Sequence, residues 1–349
     1  MDAYKGGGMG RRTLPRLLFL GFVLFLFILQ LPSPVRAGQA GTVKRRSLVA
    51  STVLAAQDDV TFGTVSERYV TQLSAQEKQV YAALVAADLK KGQALWRPSV
   101  RFTIEEATAK DAQALRETQP ILELFAAGER GLYAFRLDYM ERTYWMFDCD
   151  IDVNWSYTPS GDGMALVEVE SMTFTPISYY GTALSEDEAV QAALSEAALE
   201  VRSNRRNATR VQTVSAIASY LASRSSYGYA GAKAGHTPSG VLLSKYGRQG
   251  NCEGYARAFF CLCKRLSVPV IYVESKTHAF TYVQLENGAW YGVDPSWADA
   301  GASVDFRWVL YGTAFAREKD STGAHVAYLS RYGARLSVMA ISKDSYVWK

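Results

Sequence analysis

The chain has 349 residues, with 38 Lys and Arg against 34 Asp and Glu, a formal net charge of +4. Five of those bases and one of the acids lie in Met1–Ala37, so 33 of each sign remain beyond it; the neutral remainder lacks the concentrated basic surface that bulk nucleic-acid binding requires. Hydrophobic residues at 48% and charged residues at 21% exclude wholesale disorder, and the length suits about two domains, each able to bury a core.

Lys5, Arg11, Arg12 and Arg16 precede an apolar run from Leu17 to Leu31, broken only by Gly21 and Gln30 and ended by Pro32-Ser33-Pro34. The run is shorter than the ~20 residues a membrane-crossing helix needs. It matches the apolar region of a secretory signal, with Val35-Arg36-Ala37 as a loose cleavage site. Residues 1–37 are therefore expected to be a signal peptide and the protein secreted or extracytoplasmic. The alternative is a chain anchored by the same segment, which is then its only route to a membrane.

Residues 38–66, small and polar around Lys44-Arg45-Arg46, read as a linker. Ser74 and Glu77 form a capping box, in which each side chain satisfies a free backbone N–H. It opens a helix to about Leu89 with Val80, Leu84 and Ala87 on one face. Arg101–Ile104 reads as a strand, and about Ala107–Leu124 as a helix interrupted near Pro120. From Gly131 to Tyr180 the texture is aromatic and β-branched, which predicts antiparallel strands over Tyr133–Tyr139, Tyr144–Phe147, Asp152–Tyr157 and Ala165–Phe174, with Ser160–Gly163 as a turn. Capping boxes at Ser185/Glu188 and Thr209/Gln212 open two further helices. The first carries Val190, Leu194, Ala197, Ala198 and Val201 at helical spacing; the second carries Val211, Val214, Ile217, Ala218 and Leu221. Asn207-Ala208-Thr209 matches a glycosylation sequon.

There are four cysteines. Cys149, Cys261 and Cys263 read as small apolar core residues. No pair has CxxC spacing and histidine is scarce, so no metal site is expected. Cys252 differs. The segment Gly247–Ala256 runs from a Gly-rich turn into a helix capped by Asn251, with Cys252, Tyr255, Ala256, Phe259, Cys263 and Leu266 on one face. A thiol in the first turn feels the positive helix end, which favours the thiolate. The free N–H groups beside it can hold an oxyanion.

A thiolate needs an imidazole partner, and the imidazole needs orienting. Pro269–Ser275 and Thr277–Leu285 read as strands, the second containing His278. Glu286-Asn287-Gly288 reads as a turn and Ala289–Asp294 as the return strand. Register decides whether His278 and Asp294 share a face. A two-residue turn over Asn287-Gly288 sets Asp294 opposite Thr281 and away from His278. A three-residue turn over Glu286–Gly288 sets it opposite Phe280, on the same face as His278. The second, with Gly288 left-handed, is the expectation, because the triad requires it.

The runs Asn251-Cys252-Glu253-Gly254-Tyr255-Ala256, Lys276-Thr277-His278-Ala279-Phe280 and Trp290-Tyr291-Gly292-Val293-Asp294-Pro295-Ser296-Trp297-Ala298-Asp299 resemble, in order and spacing, the transglutaminase-like superfamily. The likeness covers about Val211 to Asp299, and Tyr227 and Thr237–Tyr246 also fit its bacterial members. It implies an α+β, papain-like/transglutaminase-like core, with a Cys-bearing helix packed on an antiparallel sheet that bears His and Asp, beside an N-terminal α+β region. It implies Cys252 as nucleophile, His278 as acid/base and Asp294 as orienter, with no metal or organic cofactor. Gln249 and Asn251 are candidate oxyanion donors, and Tyr255 and Trp297 candidate cleft walls. Animal transglutaminases have Gln before and Trp after the nucleophile, where this chain has Asn251 and Glu253. That departure turns the expectation from crosslinking toward hydrolysis.

The expected division is 67–205 for an N-terminal α+β domain, 206–318 for the catalytic domain and 319–349 for an extension packed on the core. The expected function is an exported cysteine peptidase, amidase or transglutaminase that cleaves or transfers amide bonds through a thioester. Its substrate would be a protein or peptide, with cell-wall peptide a guess from the compartment. The alternative is a non-catalytic module that binds peptide or cell wall in the same cleft.

Overall fold

The structure, a computed structural model, describes residues 40–47, 69–87, 92–142, 145, 149–177, 183–203, 207–229, 234–301, 303–327, 330–331, 334–336 and 338–348. The expected signal peptide lies outside the described residues. Among those described, no helix is long and apolar enough to cross a membrane.

The N-terminal part is a five-stranded antiparallel sheet backed by helices. Its elements are β1 (Ala40–Ser47), α1 (Ala75–Val85), β2 (Ala94–Trp96), β3 (Val100–Glu105), α2 (Glu106–Lys110), α3 (Ala112–Arg116), α4 (Gln119–Asp138), β4 (Cys149–Pro159) and β5 (Met164–Pro176). Strand β5 is central: β4 lines one edge, while β2 and β3 pair with successive stretches of the other. Strand β1, inside the segment read as a linker, pairs antiparallel with β4 from Ala40↔Ser156 to Ser47↔Cys149. The polar, basic sequence of β1 carries little strand signal; what recruits it is the open backbone edge of β4.

Two sequence expectations need correcting here. The region near Pro120 is two short helices followed by a 20-residue helix, with Pro120 in the first turn of α4. Proline fits there because its missing N–H has no partner to lose. Tyr133–Tyr139 is not a strand: Tyr133–Asp138 is the last part of α4, and Tyr139 caps it. Its apolar residues continue the helical face of Ile121, Leu124, Phe125, Gly128 and Leu132, all buried. Aromatic composition suggested a strand, but burial at helical spacing prevails over a weak β propensity. Of Tyr144–Phe147 only Trp145 is described, in a helical turn. Strands β4 and β5 contain the other two predicted strands, and their turn carries Gly161 and Gly163 at φ 85° and 84°.

Both described capping boxes form: Ser74 with Glu77 at α1, and Thr209 with Gln212 at α6 (Arg210–Arg224). Helix α5 (Ala183–Ser203) begins before the expected Ser185 cap and buries Val190, Leu194, Ala197, Ala198 and Val201. The remaining elements are β6 (Ser226–Tyr227), α7 (Pro238–Leu242), β7 (Gln249–Gly250), α8 (Cys252–Arg265), β8 (Val270–Glu274), β9 (Ala279–Gln284), β10 (Trp290–Val293), α9 (Pro295–Ala298), β11 (Val309–Tyr311), α10 (Thr313–Lys319), β12 (Ser330–Arg331) and β13 (Ala334–Arg335). Strands β11-β10-β9-β8 form an antiparallel sheet, and α8 packs on β8 and β9.

The two parts share one contiguous apolar core. Helix α5 packs on α6, α7 and α8. The Tyr69 hydroxyl donates to Tyr272 O at 2.8 Å, and Lys264 Nζ donates to Asp138 O and to Glu141 Oε2, both at 3.0 Å. The C-terminal residues are bonded to the second sheet: Ser342 N donates to Trp290 O at 2.7 Å and Tyr346 N to Leu310 O at 3.0 Å.

Candidate active site

Cys252 opens α8. The Asn251 side chain caps the helix by accepting from Gly254 N at 3.2 Å. Tyr255, Ala256, Phe259, Cys263 and Leu266 are buried, so the thiol continues the buried face while remaining partly accessible. Close backbone approach fixes this helix end: a Cβ on Gly254 would lie 2.4 Å from Gly235 O. Cys149, Cys261 and Cys263 are free and buried, as core residues should be.

The hairpin that carries His278 and Asp294 has the three-residue turn. Leu285 N donates to Ala289 O, Gly288 has φ 79°, and the ladder runs Gln284↔Trp290, Val283↔Tyr291, Tyr282↔Gly292 and Thr281↔Val293. That register carries Asp294 opposite Phe280, on the face of His278. Ser275 Oγ accepts from His278 N at 3.0 Å, holding the bend that presents the imidazole.

His278 Nε2 lies 2.5 Å from Asp294 Oδ2, and Cys252 interacts electrostatically with the same ring. Nε2 faces the carboxylate, so Nδ1 is the atom left for the thiol. Burial favours the neutral ring, but the hydrogen bonds and charges of Asp294 and Cys252 outweigh it and push His278 up to about 10. Asp294 is fully buried. Its Oδ1 accepts from Ser296 N at 2.9 Å, Ser296 Oγ at 2.7 Å and Trp297 N at 3.0 Å, so the carboxylate also caps α9. Burial would raise its carboxyl; hydrogen bonds from His278 and His325 prevail and hold it well below the carboxylate range.

His325 is the member that the sequence left without a task. It reaches Asp294 Oδ2 through Nε2 at 2.9 Å and Asp320 Oδ2 through Nδ1 at 3.1 Å. No short-range pattern links residue 325 to residue 294, so nothing in the sequence points to the contact. Donor atoms of His278, Asp294 and His325 lie within 4.8 Å of one another, a spacing that could also suit a metal ion. Both Nε2 atoms, however, sit at hydrogen-bonding distance from one oxygen, leaving little room for an ion between them.

Around these three side chains the other candidates divide. Trp297 is half-buried, with its ring 5.5 Å from that of His278. Tyr255 is fully buried and donates its hydroxyl to Asp299, so it is a brace behind the cleft rather than a wall within it. The neighbour that reaches the surface is Tyr227, half-exposed and stacked 6.5 Å from Tyr255. Partial burial, with the neighbouring Cys252 acting in the same direction, pushes the Tyr227 hydroxyl up to about 12. Asn251 is turned inward: its Oδ1 caps α8 and its Nδ2 lies 2.8 Å from His236 Nδ1. Gln249 is exposed on β7, paired with Ser226. Glu253 lies 2.6 Å from His236 Nδ1 and 3.3 Å from the fully buried Arg257, in a polar cluster that ties the start of α8 to residue 236.

A thiol at a helix start beside an imidazole and a carboxylate on an antiparallel sheet is the layout of a papain-like core. Residues 196–295 match the family model of the transglutaminase-like superfamily, so the α+β core they contribute to is transglutaminase-like. A solved structure described as a crystal structure of a TGase is 15% identical, over 41% of this chain and 43% of that one, with a TM-score of 0.27. This chain thus spans less than half the length of that one. No curated protein matches.

Proposed function

We infer that the protein is a thiol enzyme acting on amide bonds, exported by its N-terminal leader. The observation that carries the reading is the convergence of Cys252, at the N-terminal end of α8, on an imidazole whose Nε2 lies 2.5 Å from Asp294 Oδ2 and whose affinity for a proton both neighbours raise. His278 takes or holds the Cys252 proton, and the thiolate attacks a carbonyl carbon. The resulting oxyanion is held by the Cys252 backbone N–H, which has no helical partner at the start of α8. His278 protonates the leaving amine, a thioester remains, and water or a second amine resolves it. Hydrolysis is the preferred outcome, because Asn251 and Glu253 flank the nucleophile in place of the Gln and Trp of animal transglutaminases. A peptide substrate, including cell-wall peptide, fits an exported amide-cleaving enzyme.

The test is capture of an acyl group on Cys252 by activity-based labelling, read by mass spectrometry of the modified peptide. An acyl thioester that fails to form in His278→Ala supports the enzyme. A thiol that reacts slowly, at a rate unaffected by His278→Ala, supports instead a module that only binds peptide in this cleft.

A further inference from the structure

Asp294 Oδ2 is shared. His278 Nε2 approaches it at 2.5 Å from one side and His325 Nε2 at 2.9 Å from the other. His325 is itself held. Its Nδ1 and its backbone N–H both meet Asp320 Oδ2, at 3.1 and 2.7 Å. Asp320 Oδ1 accepts from Thr322 N and Thr322 Oγ1. The ring stacks on Trp308 at 4.8 Å and 18°, and meets Trp297, Phe280 and Tyr311 at 4.7, 5.1 and 5.4 Å. This apolar box leaves His325 only 8% exposed, so charges inside it act with little screening by water. His325, Asp320, Thr322, Trp297, Trp308 and Tyr311 lie beyond residue 295, where the family match ends.

We propose that His325, backed by Asp320, is a positioning residue that shares the Asp294 carboxylate with His278 and so limits how tightly His278 holds its proton. The proposal rests on the thiol-enzyme reading above. An anion that accepts from two imidazoles gives each a weaker hold than it would give one alone. A histidine pinned too firmly as imidazolium is a poor acid toward the leaving amine, so relaxing that grip serves the second proton transfer. Asp320 at the far nitrogen of His325 fixes the ring so that Nε2 points at Asp294. The titratable groups facing this series are Cys252 from α8, His278 before β9, Asp294 before α9, Tyr311 from β11 and Asp320 after α10. The buried Tyr311 phenol is held protonated by burial, so it adds no charge at neutral pH.

The experiment measures alkylation of Cys252 in the full chain by iodoacetate across pH, with folding checked by circular dichroism. The anionic reagent is drawn to the imidazolium, so its rate falls as His278 loses its proton and reports the alkaline limb. Wild type is expected to show a limb that His278→Ala abolishes. His325→Phe keeps the aromatic stack and removes the competing donor, and its limb is expected to move up by about one pH unit. His325→Gln retains an uncharged donor and is expected to move it up by less. Asp320→Asn leaves the ring in place and is expected to move the limb in the same direction; this variant and the Gln variant decide the matter if His325→Phe does not fold. A folded His325→Phe with the wild-type limb, or one displaced downward, overturns the proposal while leaving the enzyme reading intact. A wild-type rate with no limb dependent on His278 overturns both.

Discussion

Asp294 does two jobs with two oxygens: Oδ1 caps α9, and Oδ2 serves the histidines. Asp294→Asn keeps an oxygen that can cap but sets an amide N–H against donor nitrogens. Acyl-enzyme formation is expected to fall by about 10³–10⁴-fold with a native circular dichroism spectrum, measured as single-turnover labelling. His278 makes a prediction about stability. Its value is raised from 6.5 to about 10 in the fold, so its contribution is complete below about pH 6.5 and is lost as pH rises through about 10. The gap in denaturation midpoint between wild type and His278→Ala should therefore be widest near pH 6 and close toward pH 10. The meeting of Cys252, His278 and Asp294 was legible from local patterns: a capped helix start, a histidine at the start of a strand and a turn whose length fixed side-chain parity. His325 was not, because its partners are brought to it by a chain reversal after α10 that carries no periodic signal.

At the scale of elements, the site depends on how closely α8 approaches the 234–237 turn. Gly254 stands where a methyl group would meet Gly235 O at 2.4 Å and Thr237 O at 3.1 Å. Both are backbone atoms and cannot rotate away. Gly254→Ala is expected to cost about 1–3 kcal/mol in denaturant unfolding. Because it shifts the start of α8, it should also slow Cys252 labelling beyond any loss of folded protein. Helices marked by caps and regular apolar spacing, α1, α6 and α8, were read closely from sequence. Helix α4 was misread in its second half, since Tyr133, Phe135 and Tyr139 suit a sheet as well as a helix; packing against α1 decides. A Cβ on Gly131 would lie 2.8 Å from Glu77 O, which shows how tightly α4 seats there.

Across the whole molecule, the ends of the chain complete structures begun in the middle. Strand β1 covers the edge of β4, and it starts three residues after the expected signal cleavage site at Ala37. Deleting residues 38–47 leaves that edge unpaired, and concentration-dependent aggregation, measured by light scattering, is expected to rise. If the deleted chain remains as monodisperse as the parent, β1 is not needed as an edge guard. At the other end, residues 320–346 supply Asp320, His325 and backbone bonds to β10 and β11.

The sequence by itself determined the thiol, imidazole and carboxylate and the hairpin parity that lets two of them meet. These follow from rules acting over a few residues: caps, turn lengths and the two-residue alternation of a strand. Only the tertiary structure decided that β1 is a strand, that the aromatic stretch after Gly131 is helical, and that a second histidine shares Asp294. Each of those depends on which surface happens to be open nearby in space, and sequence separations of about 30 to 110 residues leave no local periodicity to record it.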